Sequence, residues 1–461
     1  NKLFRLFIYI SPPDMHRIAL FYFFLGIILQ LPDLAVRFYL IDLGIGVATL
    51  GVFQATLIIP WCLKPFYGFI SDSVLIRGLR RKPYIIACNI LCTVIWFIMA
   101  QCKTPVWAAQ LLLFLASVMT CFSDVMYDSI LVEIAKQEEG GNDHGKTQSG
   151  CWGARAVGAL VAAGAGGLLL NVVSPQVIFL TEACIMGIVA VVAYLLIDEK
   201  PFAGPRNTIC IQSKKLMRSL RNPKLWKPAL FVFIFAATPS SYTAFFYFLV
   251  NELQFSGSFL GLLTCVRHGA MLVGTFLYSK YLRNTNYQKF FLILVLLSGF
   301  LGATPIILVT HVNARVGLPD SFFAVGDDLF LSVIGQIALM PCLVLAAKLC
   351  PQGIEASMYA SFVSILNFAG IVSEYSGALC TYLMGVTKDD FTNLPYLILL
   401  CTLTSFSPLC VLSLLPKGNV HDLIAPSSEA VEEYLEEMVD VDLGEVLGED
   451  PEDLSETVAN V

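Results

Sequence analysis

An ionisable side chain in the middle of a bilayer costs at least about 2.5–3.5 kcal/mol on insertion scales, so each one in a long apolar segment needs a reason. Several stand in such segments of this 461-residue chain. Asp33 and Arg37 are four apart on one helix face, next to Pro32. They form either an internal ion pair that cancels the insertion penalty or a solute-binding pair, with Pro32 freeing backbone groups. Asp124 and Asp128 stand one turn apart, a spacing that suits an exchangeable proton. Arg155 has no acid one turn away on its own segment, so its partner is Asp124, Asp128 or the carboxylate of a ligand, which a guanidinium fork fits well. Glu374 lies mid-segment beside Asn367, Ser373 and Tyr375, and is either a titrating group or the partner of Arg267. Adjacent Arg267 and His268 point about 100° apart, so they cannot face one cavity equally. His268 reads as a hydrogen-bonded interior residue or a proton sensor. Lys64 either snorkels to the membrane surface or meets solute, and Glu182 is a weaker candidate. This chemistry is ionic binding and proton exchange rather than bond making. There are five His and no HExxH, GxSxG or P-loop pattern. The 14 Cys are scattered without CxxC or metal-ligand spacing. No enzyme activity, cofactor, metal site or nucleic-acid partner is expected.

The elements that must position these groups are apolar segments of bilayer length. The chain is 57% hydrophobic and 14% charged, unlike a soluble domain of this size. Twelve spans are read at 18–41, 47–70, 83–101, 106–132, 148–172, 175–197, 225–250, 256–280, 287–312, 327–349, 355–384 and 393–415. Lipid cannot satisfy exposed backbone groups, so continuously apolar segments must be helices. Of the 29 Lys and Arg, only Lys103, Arg315 and Lys388 fall in odd-numbered connections. The positive-inside rule therefore puts both termini in the cytoplasm or an organelle interior. Residues 198–227 carry eight Lys or Arg and divide the spans six plus six. From Lys417 to Val461 there are 14 acids and one Lys, which reads as a solvated tail able to bind an unknown partner.

After the second span runs Gly68-Phe-Ile-Ser-Asp72, then Arg77-Gly78-Leu-Arg80-Arg81-Lys82. This resembles the signature between spans two and three of the major facilitator superfamily, with a longer Asp-to-Gly spacing than usual. The resemblance implies an all-α integral membrane fold of 12 transmembrane helices in two six-helix bundles. It also implies a gating role for Gly68, Asp72, Arg77, Gly78, Arg80 and Arg81, with Asp128 paired to this basic loop. Longer stretches narrow the likeness. They are Leu63 to Ser73 with Arg80 to Tyr84, Gln148 to Gly158, Ala237 to Phe246 with Asn251-Glu252-Leu253, and Gly335 to Pro341 with Ala346 to Pro351. Over about residues 12–416 the chain is similar to the folate–biopterin transporter family.

That resemblance implies secondary active transport of folates and/or pterins, with protons as the coupling ion. Another organic anion or amino-acid-like solute in the same fold is the alternative. On this reading Arg155 suits the glutamate carboxylates of a folate, and Glu374 suits the aminopyrimidine edge of a pterin. The hydroxyls of Thr238, Ser240 and Ser241, with Tyr242, Phe245 and Phe246 around Pro239, offer polar groups and aromatic faces to a flat ring. Gln336 and Trp152 are further candidates. Substrate binding or coupling is thus expected at Asp33, Arg37, Lys64, Asp124, Trp152, Arg155, Thr238, Ser240, Ser241, Arg267, Gln336 and Glu374. The expected organisation is a first bundle at 1–197, a cytoplasmic loop at 198–224, a second bundle at 225–416 and the tail at 417–461. The plasma membrane and the plastid envelope both fit.

Overall fold

The computed structural model describes residues 13–137, 146–199, 201, 223–282, 285–348 and 355–415. Most of the central connection and the acidic tail lie outside the described residues. The first half holds α1 (Pro13–Asp42), α2 (Val47–Cys62), α3 (Lys64–Ser73), α4 (Lys82–Gln101), α5 (Val106–Gln137), α6 (Lys146–Leu169) and α7 (Pro175–Leu196). The second holds α8 (Pro223–Ala236), α9 (Tyr242–Tyr247), α10 (Gly257–Leu277), α11 (Tyr287–Gly302), α12 (Pro305–Val309), α13 (Val312–Arg315), α14 (Asp320–Lys348), α15 (Glu355–Leu383) and α16 (Leu394–Thr404). Among the described residues ten helices are long and apolar enough to cross a membrane, and the bent pair α2–α3 makes eleven. The remaining expected span, 225–250, is broken. α8 stops at Ala236 and helix resumes at Tyr242, running on through a π-helical turn, Phe248–Glu252. Pro32, by contrast, sits inside an uninterrupted α1.

Glycine sets the closest helix crossings. A Cβ on Gly26 of α1 would lie 2.1 Å from the Arg155 carbonyl oxygen, and one on Gly158 of α6 would lie 2.1 Å from that of Phe23. The α1 and α6 backbones therefore touch, which only an absent side chain permits. Gly167 of α6 meets Gly261 of α10 in the same way, with a Cβ–Cα distance of 2.5 Å, and this crossing joins the two halves. Close by, the Ser258 N–H donates to Asn171 Oδ1 at 3.1 Å, Tyr247 Oη donates to the Ile45 carbonyl at 2.5 Å, and Gly51 abuts Ala378. These contacts between the halves sit at the end of the molecule bearing the odd-numbered connections. Toward the other end, a Cβ on Gly150 or Gly153 of α6 would meet no neighbour within 4 Å among the described residues. The two halves meet closely at the end bearing those connections, and nearer the other end Asn367 Nδ2 still donates across them to the Trp61 carbonyl at 3.0 Å.

Candidate functional site

The broken span builds the site. Pro239 lacks an N–H and cannot continue α8, so residues 237–241 leave the helix. Backbone groups freed in this way must find partners inside the protein. They find them on α15: the Ser240 N–H donates to the Ser373 carbonyl at 3.3 Å, and Ser373 Oγ donates to the Thr238 carbonyl at 2.6 Å. A Cβ on Gly377 would lie 2.0 Å from the Ser240 carbonyl oxygen, so the break is seated on a glycine. Ser240 Oγ accepts from the Tyr242 N–H at 3.2 Å and starts the next helix.

The break opens onto a cavity of about 400 Å³, within the size range of small-molecule sites. α1 contributes Asp33 and Arg37, the break contributes Thr238 to Tyr242, α10 contributes Arg267, and α14 contributes Asp327 and Asp328. Arg267 donates to Asp328 Oδ1 from Nε (3.2 Å) and Nη2 (2.8 Å), and to Tyr242 Oη from Nη1 (3.0 Å). Arg37 reaches Asp33 at 3.4 and 3.5 Å, long contacts for a guanidinium–carboxylate pair. Its guanidinium carbon lies 5.5 Å from the Tyr242 ring centre and 5.4 Å from that of Phe246. Tyr242 thus stands between an arginine of the first half and one of the second, both at cation–π range. Beside it, His268 Nε2 and Gln30 Oε1 meet at 2.9 Å across the two halves, so His268 is a hydrogen-bonded interior residue.

Asp33, Arg37, Thr238, Ser240, Ser241 and Arg267 line this cavity; Lys64, Asp124, Trp152, Arg155, Gln336 and Glu374 are not among its lining residues. Glu374 does not pair with Arg267, which has taken Asp328. Instead it accepts from Thr243 Oγ1 at 3.4 Å. Gln336 donates to Thr275 Oγ1 at 3.1 Å where α14 crosses α10. Four of the others form a separate cluster within the first half. Asp124 is fully buried, Lys64 is hydrogen-bonded to it, and Arg155 approaches it at 3.7 Å. Lys64 therefore does not snorkel: it opens α3 at the bend after α2, with its ammonium over the Trp61 ring. Arg155 lies over Trp152 at 5.2 Å. Asp128 accepts from Tyr22 Oη at 2.6 Å and lies 3.7 Å from Lys64. Its described partners are thus Tyr22 and Lys64 rather than the basic loop.

That loop has its own acids. Asp72 pairs with Arg81 (2.9 Å) and Arg80 (3.6 Å), while Arg81 Nη1 donates to Ser71 Oγ at 2.5 Å. Arg77 and Gly78 both have positive φ and make a tight turn closed by reciprocal Ile76–Leu79 hydrogen bonds of 3.1 Å. Gly68 is sterically undemanding, since its Cβ would meet only Val125 at 4.0 Å. The main addition is Glu199, which accepts the backbone N–H groups of Arg80, Arg81 and Lys82 at 2.7–3.1 Å and so caps the start of α4.

Sequence reasoning also missed Asp327 and Asp328. A span that begins at 327 puts both at its edge. α14 actually begins at Asp320, so they lie about two turns inside it. The acid at Asp320 directly after Pro319 was the available signal of a helix start.

Two helical halves around a polar cavity, with one span broken at that cavity, define a membrane transporter of the major facilitator fold, not an enzyme. The crystal structure of the nucleoside transporter NupG matches with a TM-score of 0.65 at 14% identity, covering 87% of this chain and 99% of that one. The chain belongs to the BT1 family, whose model matches residues 25–434. It is 39% identical over 401 residues to a folate-biopterin transporter of Synechocystis, covering 86% of this chain and 81% of the relative. It is 29% identical to folate transporter 2 of Plasmodium falciparum, covering 78% of each.

Proposed function

We propose that this protein carries folates and/or pterins across a membrane by alternating access, coupled to protons. The observation that carries the reading is the cavity at the broken span, where both halves contribute charged groups and the break contributes hydroxyls and aromatic faces. A heterocycle with carboxylates and ring N–H groups has a use for each of these. The names of the relatives supply the cargo class. Ion coupling is assigned to embedded carboxylates, with Asp33, Asp124 and Glu374 as the groups to examine. The bundles are taken as 1–197 and 225–416 around a cytoplasmic connection at 198–224. Both termini face the cytoplasm or an organelle interior, in the plasma membrane or plastid envelope. With that orientation the closed end is extracytoplasmic, and the cavity belongs to an inward-facing state. The acidic tail, 417–461, is assigned to contact with a partner rather than to transport.

Uptake of radiolabelled folate into proteoliposomes, with and without an inward proton gradient and with unlabelled biopterin as competitor, tests this reading. Gradient-stimulated, competed uptake is expected. Uptake that ignores the gradient removes proton coupling. No uptake by correctly inserted protein removes the cargo and points to another organic anion in the same fold.

A further inference from the structure

Two charged side chains that line the cavity each keep a buried polar atom without a partner among the described residues. Arg37 spends Nε and Nη2 on Asp33, and its Nη1 is buried with no acceptor among the described residues. Asp328 gives Oδ1 to Arg267, and its Oδ2 is buried with no donor among the described residues. A buried, unsatisfied polar atom is costly, and native structures keep few of them. Here one spare donor belongs to a cation of the first half and one spare acceptor to an anion of the second, and both residues line the same cavity. Their surroundings also differ. Arg37 lies against the faces of Tyr242 and Phe246 and holds Asp33 only loosely, so an incoming carboxylate can compete for the guanidinium. Asp328 is held firmly by Arg267 on one oxygen, so an N–H donor must reach the other, buried one, which the cargo's entry uncovers.

We propose that the cavity binds its cargo by two poles, an anionic group on Arg37 and an N–H-bearing ring edge on Asp328. This rests on the folate–pterin reading and deepens it. Folate carries both features, whereas biopterin carries the ring edge without a carboxylate. Arg37 is then the residue that separates folates from pterins, and Asp328 serves both. The roles fall on Arg37 and Asp328, which line the cavity, rather than on Arg155 or Glu374, which do not. Because the poles sit on different halves, one cargo molecule bridges them, and its release from either pole frees that half to move.

Equilibrium binding to the purified protein tests this, using folate, folate with both glutamate carboxylates amidated, and biopterin. In the native protein the diamide should bind roughly 10- to 100-fold more weakly than folate, the range of one charge-assisted hydrogen bond. Arg37→Gln should erase that difference, and Arg37→Lys should restore part of it. Asp328→Asn should weaken folate and biopterin by similar factors. Equal affinity of the native protein for folate and the diamide overturns the assignment without reliance on any variant. A folate–diamide difference that persists in Arg37→Gln places the carboxylate elsewhere and also overturns it. If the native protein binds neither folate nor biopterin, the cargo reading itself has failed, a pattern distinct from both.

Discussion

Gly167→Ala is the sharpest single change to make, because its effect is set by backbone geometry. A Cβ at this position would stand 2.5 Å from Gly261 Cα, 2.9 Å from the Gly257 carbonyl oxygen and 3.0 Å from Gly261 N. Carbon atoms in contact prefer about 3.5–4.0 Å, so α6 and α10 would have to separate by about 1.0–1.5 Å. No flexible side chain at the crossing can yield instead. Overpacking of this kind costs about 1–3 kcal/mol. The clash exists only while this end is shut, so the cost falls on the closed state alone. At one tenfold step per 1.4 kcal/mol, the open-to-closed ratio at this end should rise by about 5- to 150-fold. The reporter is the Ser258 amide, which donates across the halves to Asn171. Its hydrogen exchange, read by mass spectrometry in a peptide covering 256–262, should accelerate by a comparable factor. Gly269→Ala is the control, since a Cβ there meets nothing within 4 Å on the same helix. Unchanged protection in a folded Gly167→Ala protein would refute the idea that this crossing seals one end.

Within a half, the same kind of substitution should behave differently. Gly158→Ala drives a Cβ to 2.1 Å from the Phe23 carbonyl, so it should lower thermal stability in detergent by about 3 kcal/mol or more without selectively raising exchange at 256–262. Lys64→Ala leaves the fully buried Asp124 with only Arg155 at 3.7 Å, and should destabilise by about 3–5 kcal/mol in a thermal melt. Adding Asp124→Asn to that variant should recover much of the loss, and no recovery would show that Lys64 acts other than through Asp124. Truncation after Pro416 should leave uptake in proteoliposomes largely intact; its loss would move the acidic tail into the transport machinery.

The fold was legible because its signals are long and repeated. Segments of about 20 apolar residues are forced into helices by lipid, and the pattern from α1 to α7 follows the expected spans within a few residues. The break in 225–250 was harder to see, because the apolar run continues on both sides of Ala237–Ser241 and only α15 receives the freed backbone groups. Pairings within one turn, such as Asp33 with Arg37, could be read from spacing. Pairings over long separations could not. Arg267 with Asp328 spans 61 residues, and Glu199 reaches the start of α4 over 117–119, so each partner is decided by helix packing alone. Lys64 shows the same limit. Its place near the inner end of the second span leaves a snorkelling side chain and a solute contact both open, while the bend at Leu63 turns it onto Asp124.

Counterflow tests the central claim most directly. Proteoliposomes loaded with unlabelled folate are diluted into a trace of labelled folate with no ion gradient. A carrier whose cavity opens alternately to the two sides should accumulate label transiently above its outside concentration, with unlabelled biopterin suppressing the overshoot. Absence of any overshoot, in vesicles where the protein is folded and inserted, would contradict the account.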